Sequence, residues 1–162
     1  RSWVTTNAAE FDAMEFGSLP PSMYERADAV LFIRALHNLA RFGDHRDYLS
    51  EALNDALMLL KPGGTLGVVQ HRAPSRATAG WSNGSNGYLK ESFVIEAAQS
   101  AGFVFVDSSD HNSNKRDRPT EDDVVWRLPP TLAGSEGNSD RTSRMLAIGE
   151  SDRMTLRFMK PL

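Results

Sequence analysis

Leu60-Lys61-Pro62-Gly63-Gly64-Thr65-Leu66-Gly67-Val68-Val69 is the point at which a helical repeat stops and a strand begins. Pro suits the second place of a tight turn and Gly the third, where a positive φ carries no Cβ penalty. Before this corner, Tyr48, Leu49, Ala52, Leu53, Ala56, Leu57 and Leu60 recur at i, i+1, i+4, i+5, i+8, i+9 and i+12, the stripe of an amphipathic helix. Asp44-His45-Arg46-Asp47 offers an N-cap ahead of it, with an acid three residues on. After the corner, Thr65 to His71 reads as a buried strand. Farther upstream, Asp28-Ala29-Val30-Leu31-Phe32-Ile33 follows Pro20-Pro21 as a short branched and aromatic run, the pattern of a parallel strand buried on both faces. Strand, helix and strand in this order make a right-handed parallel crossover. No glycine-rich phosphate or nucleotide loop precedes it.

The unit repeats once. Residues 73 to 88 form a long Gly/Ser/Asn loop, of the kind that is more often a lid or substrate loop than a core connection. A helix then shares Phe93, Val94, Ala97, Ala98 and Ala101 on one face, Gly102 caps it, and Phe103 to Val106 is a third strand. From Asp107 to Asp123 the chain turns polar and reads as a solvated excursion. Val124 to Leu128 is a short apolar anchor stopped by Pro129-Pro130, and Gly134 to Asp140 is a loose loop. Met154-Thr155-Leu156-Arg157-Phe158-Met159 alternates with period two, as a half-exposed antiparallel terminal strand does.

The 162 residues allow one sizeable core and therefore one domain. A formal net charge of -3 with scattered Lys and Arg leaves no stripe to neutralise phosphates, which argues against nucleic acid as partner. The absence of cysteine excludes disulfides, thiolate metal sites and cysteine nucleophiles. No apolar run approaches the roughly 20 residues of a membrane helix. Arg1 stands where an initiator Met is expected, so the compartment stays open between cytoplasm and periplasm, as does the oligomeric state.

Ala27-Asp28-Ala29-Val30-Leu31-Phe32, Leu59-Leu60-Lys61-Pro62-Gly63-Gly64 and Ala101-Gly102-Phe103, ahead of a final strand pair, together resemble the C-terminal half of class I S-adenosylmethionine-dependent methyltransferases. Val68-Val69-Gln70-His71 and Pro119-Thr120-Glu121-Asp122-Asp123 before Trp126 are similar to a poorly characterised bacterial branch of predicted methyltransferases. The resemblance implies a Rossmann-like α/β sheet of order 3-2-1-4-5-7-6, with S-adenosylmethionine as cofactor of the full-length parent. It makes residues 1–162 a single partial domain in which the family's strands 1 and 2 are absent. Ser2-Trp3-Val4-Thr5-Thr6 or Asp12-Ala13-Met14-Glu15-Phe16 then supplies one strand, the family's third. The truncation implies an exposed hydrophobic edge on the family's fourth strand, unless the third closes against it. The implied activity is methyl transfer to a small-molecule acceptor, as a fragment of a larger enzyme. The alternative is a non-catalytic α/β binding or assembly module that lacks the cofactor site.

Ligands of open parallel sheets bind beyond the carboxyl ends of the strands, which singles out three clusters. In Ile33-Arg34-Ala35-Leu36-His37-Asn38, His37 suits a general base and Asn38 an acceptor-orienting amide, with Arg34 on the cofactor side. The competing reading has Asn38 capping a turn and His37 packed beneath it. In Gln70-His71-Arg72, His71 is a substrate contact or acid/base group, or else a structural hydrogen-bonding residue at the strand end. Phe16-Gly17-Ser18 falls where the family lines the adenine, lacks the usual acid there, and reads equally as a strand ending in a Pro-Pro turn. Trp81, Tyr88 and Lys90 either shape an acceptor pocket or anchor the long loop. The acidic Glu121-Asp122-Asp123 reads as a solvated face or a helix N-terminus. A metal site wants three or four ligands; with His45 at a helix start and His111 in a polar loop, none is assigned.

Overall fold

A computed structural model describes residues 13–43 and 45–162. Strand β1 (Ala27–Ile33) leads through a short helix α1 (Leu36–Ala40) to helix α2 (Tyr48–Leu59) and strand β2 (Leu60–His71). Helix α3 (Glu91–Ser100), strand β3 (Val104–Ser109), helix α4 (Ser139–Ile148) and strand β4 (Arg153–Met159) follow. The four strands make one mixed sheet in the order β1-β2-β4-β3. β1 and β2 are parallel, and β4 runs antiparallel to both its neighbours. β2 and β3 are therefore parallel to each other with β4 inserted between them. Among the described residues no helix is long and apolar enough to cross a membrane.

The Lys61-Pro62-Gly63-Gly64 corner is a bulge in this ladder. Ala27 pairs with Leu60 and Ala29 with Thr65, so the corner is extruded opposite Asp28. Gly63 takes φ +75°. At Gly64 an added Cβ would lie 2.8 Å from the Lys61 carbonyl oxygen, which bars any side chain. The corner also grips the last strand: Gly63 N–H donates to Lys160 O at 3.0 Å, and Lys160 N–H donates to Gly64 O at 2.9 Å.

One face of the sheet carries the core. Leu66, Val68, Met154, Leu156 and Phe158 point inward by strand alternation and meet Leu49, Ala52, Leu53 and Ala56 of α2 and Val94 and Ala98 of α3. The N-cap of α2 is Asp47, whose carboxylate accepts from Ser50 N–H; Asp44 lies outside the described residues. The expectation that β1 is buried on both faces is corrected. Phe32 is buried, but Leu31 is 65% and Ile33 51% exposed. Among the described residues nothing covers that face of β1 or pairs with its outer edge. Of the two candidates for a further strand, Ser2 to Thr6 lies outside the described residues. Asp12 does too, and residues 13–16 form no strand.

Two stretches, one expected to be a lid or substrate loop and the other a solvated excursion, are packed. In the long loop, Trp81 and Tyr88 stack at 5.1 Å and join Ala73, Ala77 and Val125 in a second apolar cluster, so both are anchors rather than lid residues. In the polar excursion, Asp117 is buried, and the Arg127 guanidinium donates to it at 2.8 Å and to Asp123 at 2.9 Å. Glu121 accepts from Thr78 N–H. The acidic stretch is thus tied to its surroundings by specific bonds, not merely solvated.

Candidate functional site

The carboxyl ends of β1 and β2 open into a cleft of about 350 Å³. Arg34, His37 and Asn38 enter it from the segment after β1, His71 from the end of β2, and Trp126 from the far wall. Arg153, Ser151 and Glu150 close it from the start of β4. An antiparallel strand presents its beginning where its parallel neighbours present their ends, and Arg153 is the register partner of His71. Arg34 holds φ +54°, uncommon for a residue with a side chain, while its N–H donates to Val69 O at 2.6 Å. Such strain clusters at functional positions.

The two imidazoles stand 5.5 Å apart, centroid to centroid, and the Trp126 ring lies edge-on at 6.0 Å from His37. Gln70 sets the tautomer of His37. Its amide nitrogen donates to Gly87 O at 2.9 Å, and its oxygen faces both the backbone N–H and the Nδ1 of His37 at 3.3 Å. A carbonyl cannot donate and an amide oxygen can only accept, so the Gln70 amide has one orientation and His37 Nδ1 carries the proton. The acceptor nitrogen of His37 is therefore Nε2. Burial lowers the His37 pKa below its ordinary value, the hydrogen bond to Gln70 opposes this in part, and Arg41 adds to the lowering.

His71 is held by a 2.6 Å contact between Nδ1 and the hydroxyl of buried Ser151. Burial, then the proximity of His37, Arg153 and Arg34, lowers its pKa to about 3. It is neutral at physiological pH, which suits a hydrogen-bonding contact and not a proton carrier. Between about pH 6.5 and pH 3 the unfolded chain binds a proton at His71 that the native chain does not, so this group withdraws stability as pH falls through that window. Urea unfolding should therefore show wild type losing more stability between about pH 7 and pH 5 than a His71→Asn variant does. Parallel losses in the two proteins would contradict the assignment.

The remaining candidates separate. Arg72 is structural: it pairs with Asp152 through two nitrogens and with Glu91 at 3.0 Å. Phe16 borders a neighbouring groove of about 510 Å³ that includes Phe42 and Tyr48 and meets the cleft only at Asn38. Backbone recognition by Phe16-Gly17-Ser18 is largely consumed internally. Gly17 N–H donates to Asp55 at 2.6 Å, Ser18 N–H to Glu15 O, and Phe16 O accepts from Arg46. Lys90 precedes α3 and lies outside the cleft lining.

Gln70, Trp126, Ser151 and Arg153 escaped the reading of the sequence. Gln70 had a signal: it sits on the inward parity of Leu66 and Val68, where a polar side chain must find partners. Arg153 had one as well, because a terminal antiparallel strand brings its first residue to the ligand edge.

No family model and no curated protein sequence matches the chain. Solved structures do match in fold. One is the (4+2)-cyclase SpnF, at a TM-score of 0.59 and 20% identity over 94% of this chain and 56% of that one. A Haloferax volcanii complex with the Trm112 methyltransferase activator matches at 0.56 and 18% identity over 99% of this chain and 65% of that one. A SAM-dependent methyltransferase of Methanosarcina mazei matches at 0.50 and 9% identity, over 86% and 61%. The chain spans less than two thirds of the length of each. The fold is that of the class I S-adenosylmethionine-dependent methyltransferases.

Proposed function

We propose that the chain supplies the acceptor-side half of an enzyme that transfers a methyl group from S-adenosylmethionine to a small molecule. The observation that carries this reading is a single cleft at the carboxyl ends of β1 and β2 lined by two imidazoles whose pKa values burial lowers. Its volume of about 350 Å³ suits a small organic molecule. A cyclase among the structural neighbours indicates that this fold hosts more than one chemistry, so the reading rests on the cleft and not on the fold alone.

When bound, the cofactor supplies a methyl group activated by a sulfonium. Among the described residues the ring of Phe16, in the neighbouring groove, is left to contribute to holding it, because the N–H groups of Gly17 and Ser18 are already bonded and Arg34 and Asn38 line the cleft with His37 on the acceptor side. On the acceptor side His37 Nε2 receives a proton if the acceptor carries one. Asn38, exposed and without a side-chain hydrogen bond among the described residues, orients the acceptor. His71 fixes it by a neutral hydrogen bond, and Trp126 excludes water from the wall.

The test is calorimetry of the full-length protein carrying this chain with S-adenosylhomocysteine, followed by turnover of a His37→Gln variant. Saturable binding is expected, with kcat lowered about 10²-fold in the variant and the affinity for S-adenosylhomocysteine unchanged. Absence of binding would favour the non-catalytic α/β module instead, and an unchanged kcat would remove the role given to His37.

A further inference from the structure

The charge in the cleft is unbalanced. Arg34, exposed, makes no side-chain hydrogen bond or salt bridge among the described residues. Arg153 pairs through Nη1 with Glu150, and its Nε is buried without a partner. Elsewhere Arg72 pairs with Asp152 and Glu91 and Arg127 with Asp117 and Asp123. Half-buried Arg141 and Nη1 of Arg127 also leave a buried N–H unpartnered, so what sets Arg153 apart is its place in the cleft with a second guanidinium, Arg34. The cleft lining holds two guanidiniums against one carboxylate, Glu150, which pairs with Arg153; beside them His71 is neutral, and burial lowers the pKa of His37. An under-paired guanidinium in a partly desolvated site is costly unless a ligand completes its shell.

The geometry points to a small organic acid as the molecule this cleft takes: a carboxylate or phosphate ester whose acid group is held by Arg34 and Arg153 while its apolar body lies against Trp126, Val125 and Leu128. The guanidinium fork matches both oxyanions, and bonds between ionised partners are about twice as strong as neutral ones. The walls supplied by the 125–130 segment are apolar, so a bare inorganic anion would leave them unfilled. The proposal rests on the methyl-transfer reading only for the ligand's role as acceptor.

The experiment titrates the full-length protein with 4-hydroxybenzoate, phenyl phosphate and the uncharged 4-hydroxybenzamide, following the ring-proton resonances of His37 and His71. One of the two acids should bind at least about tenfold more tightly than the amide, and Arg153→Met or Arg34→Met should abolish that preference. Which acid binds separates carboxylate from phosphate ester. Equal or tighter binding of the amide, no binding of any probe up to about 10 mM, or a preference that survives both substitutions would overturn the proposal. S-adenosylhomocysteine calorimetry on the same samples keeps the two ideas apart. Acid preference without cofactor binding leaves the acid site standing and removes methyl transfer; cofactor binding without acid preference removes the acid site alone.

Discussion

Replacing Asp117 by Ala should cost about 3–5 kcal/mol of stability, a large part of the roughly 5–15 kcal/mol that holds a domain together. Asp117 joins three pieces of chain that share no regular secondary structure. Its Oδ1 accepts from Arg127 at 2.8 Å, and its Oδ2 accepts from Tyr88 Oη at 3.1 Å and from Asp152 N–H at 3.0 Å. Its side chain is 0% exposed and that of Arg127 5%. Removing the carboxylate leaves a guanidinium, a phenol and a peptide N–H without it in a site where water does not readily substitute. The loss should therefore exceed anything the ion pair contributes in net terms. A double variant, Asp117→Ala with Arg127→Met, should lose clearly less than the sum of the two single losses, because the buried charge leaves with its partner. Urea denaturation followed by circular dichroism reads all three. A midpoint at the wild-type value for Asp117→Ala, or strict additivity, would contradict the account.

Gly84→Ala should cost about 3 kcal/mol or more, the sum of left-handed strain and overpacking. Gly84 has φ +99°, and an added Cβ would fall on the carbonyl oxygen of His37. The obstacle is backbone, so no rotamer relieves it. The nearby Gly80 has nothing within 4 Å of a would-be Cβ, and Gly80→Ala should stay within about 0.5 kcal/mol of wild type. The consequence reaches the site, because His37 Nδ1 depends on its alignment with Gln70. The His37 ring resonances should move in Gly84→Ala and not in Gly80→Ala; stability and spectra alike in the two variants would refute the close packing of this loop.

Regular elements were legible where burial follows period. The stripe from Tyr48 to Leu57 and the run after Thr65 appear in α2 and β2, although Leu60, read as the end of the helix, opens the strand instead, and Met154, Leu156 and Phe158 alternate inward as the pattern requires. β1 misled because a run of apolar residues fits a strand buried on both faces as well as one whose outer face is uncovered. α4 was missed because its half-buried side is carried by Arg141, Thr142, Met145 and Ile148, of which only two are apolar and none is fully buried, so the apolar signal is thin. The candidate site was half legible. Arg34, His37, Asn38 and His71 follow parallel strands and meet in one cleft, whereas Ser151 and Arg153 reach it through the pairing of β2 with β4, well over a hundred residues beyond β1 in the chain. The packing of the long loop was also hidden, since it depends on Gly84 and Gly87 fitting against His37 and Val125, contacts that no local composition announces.

The central claim, methyl transfer to a small acid from a cleft built around His37 and His71, is most directly tested by label transfer. Full-length protein would be incubated with methyl-tritiated S-adenosylmethionine and a deproteinised, nucleic-acid-free small-molecule extract. The account predicts label in low-mass compounds retained on an anion exchanger, reduced about 10²-fold by His37→Gln. No transfer, or label passing only into neutral or cationic compounds, would contradict it.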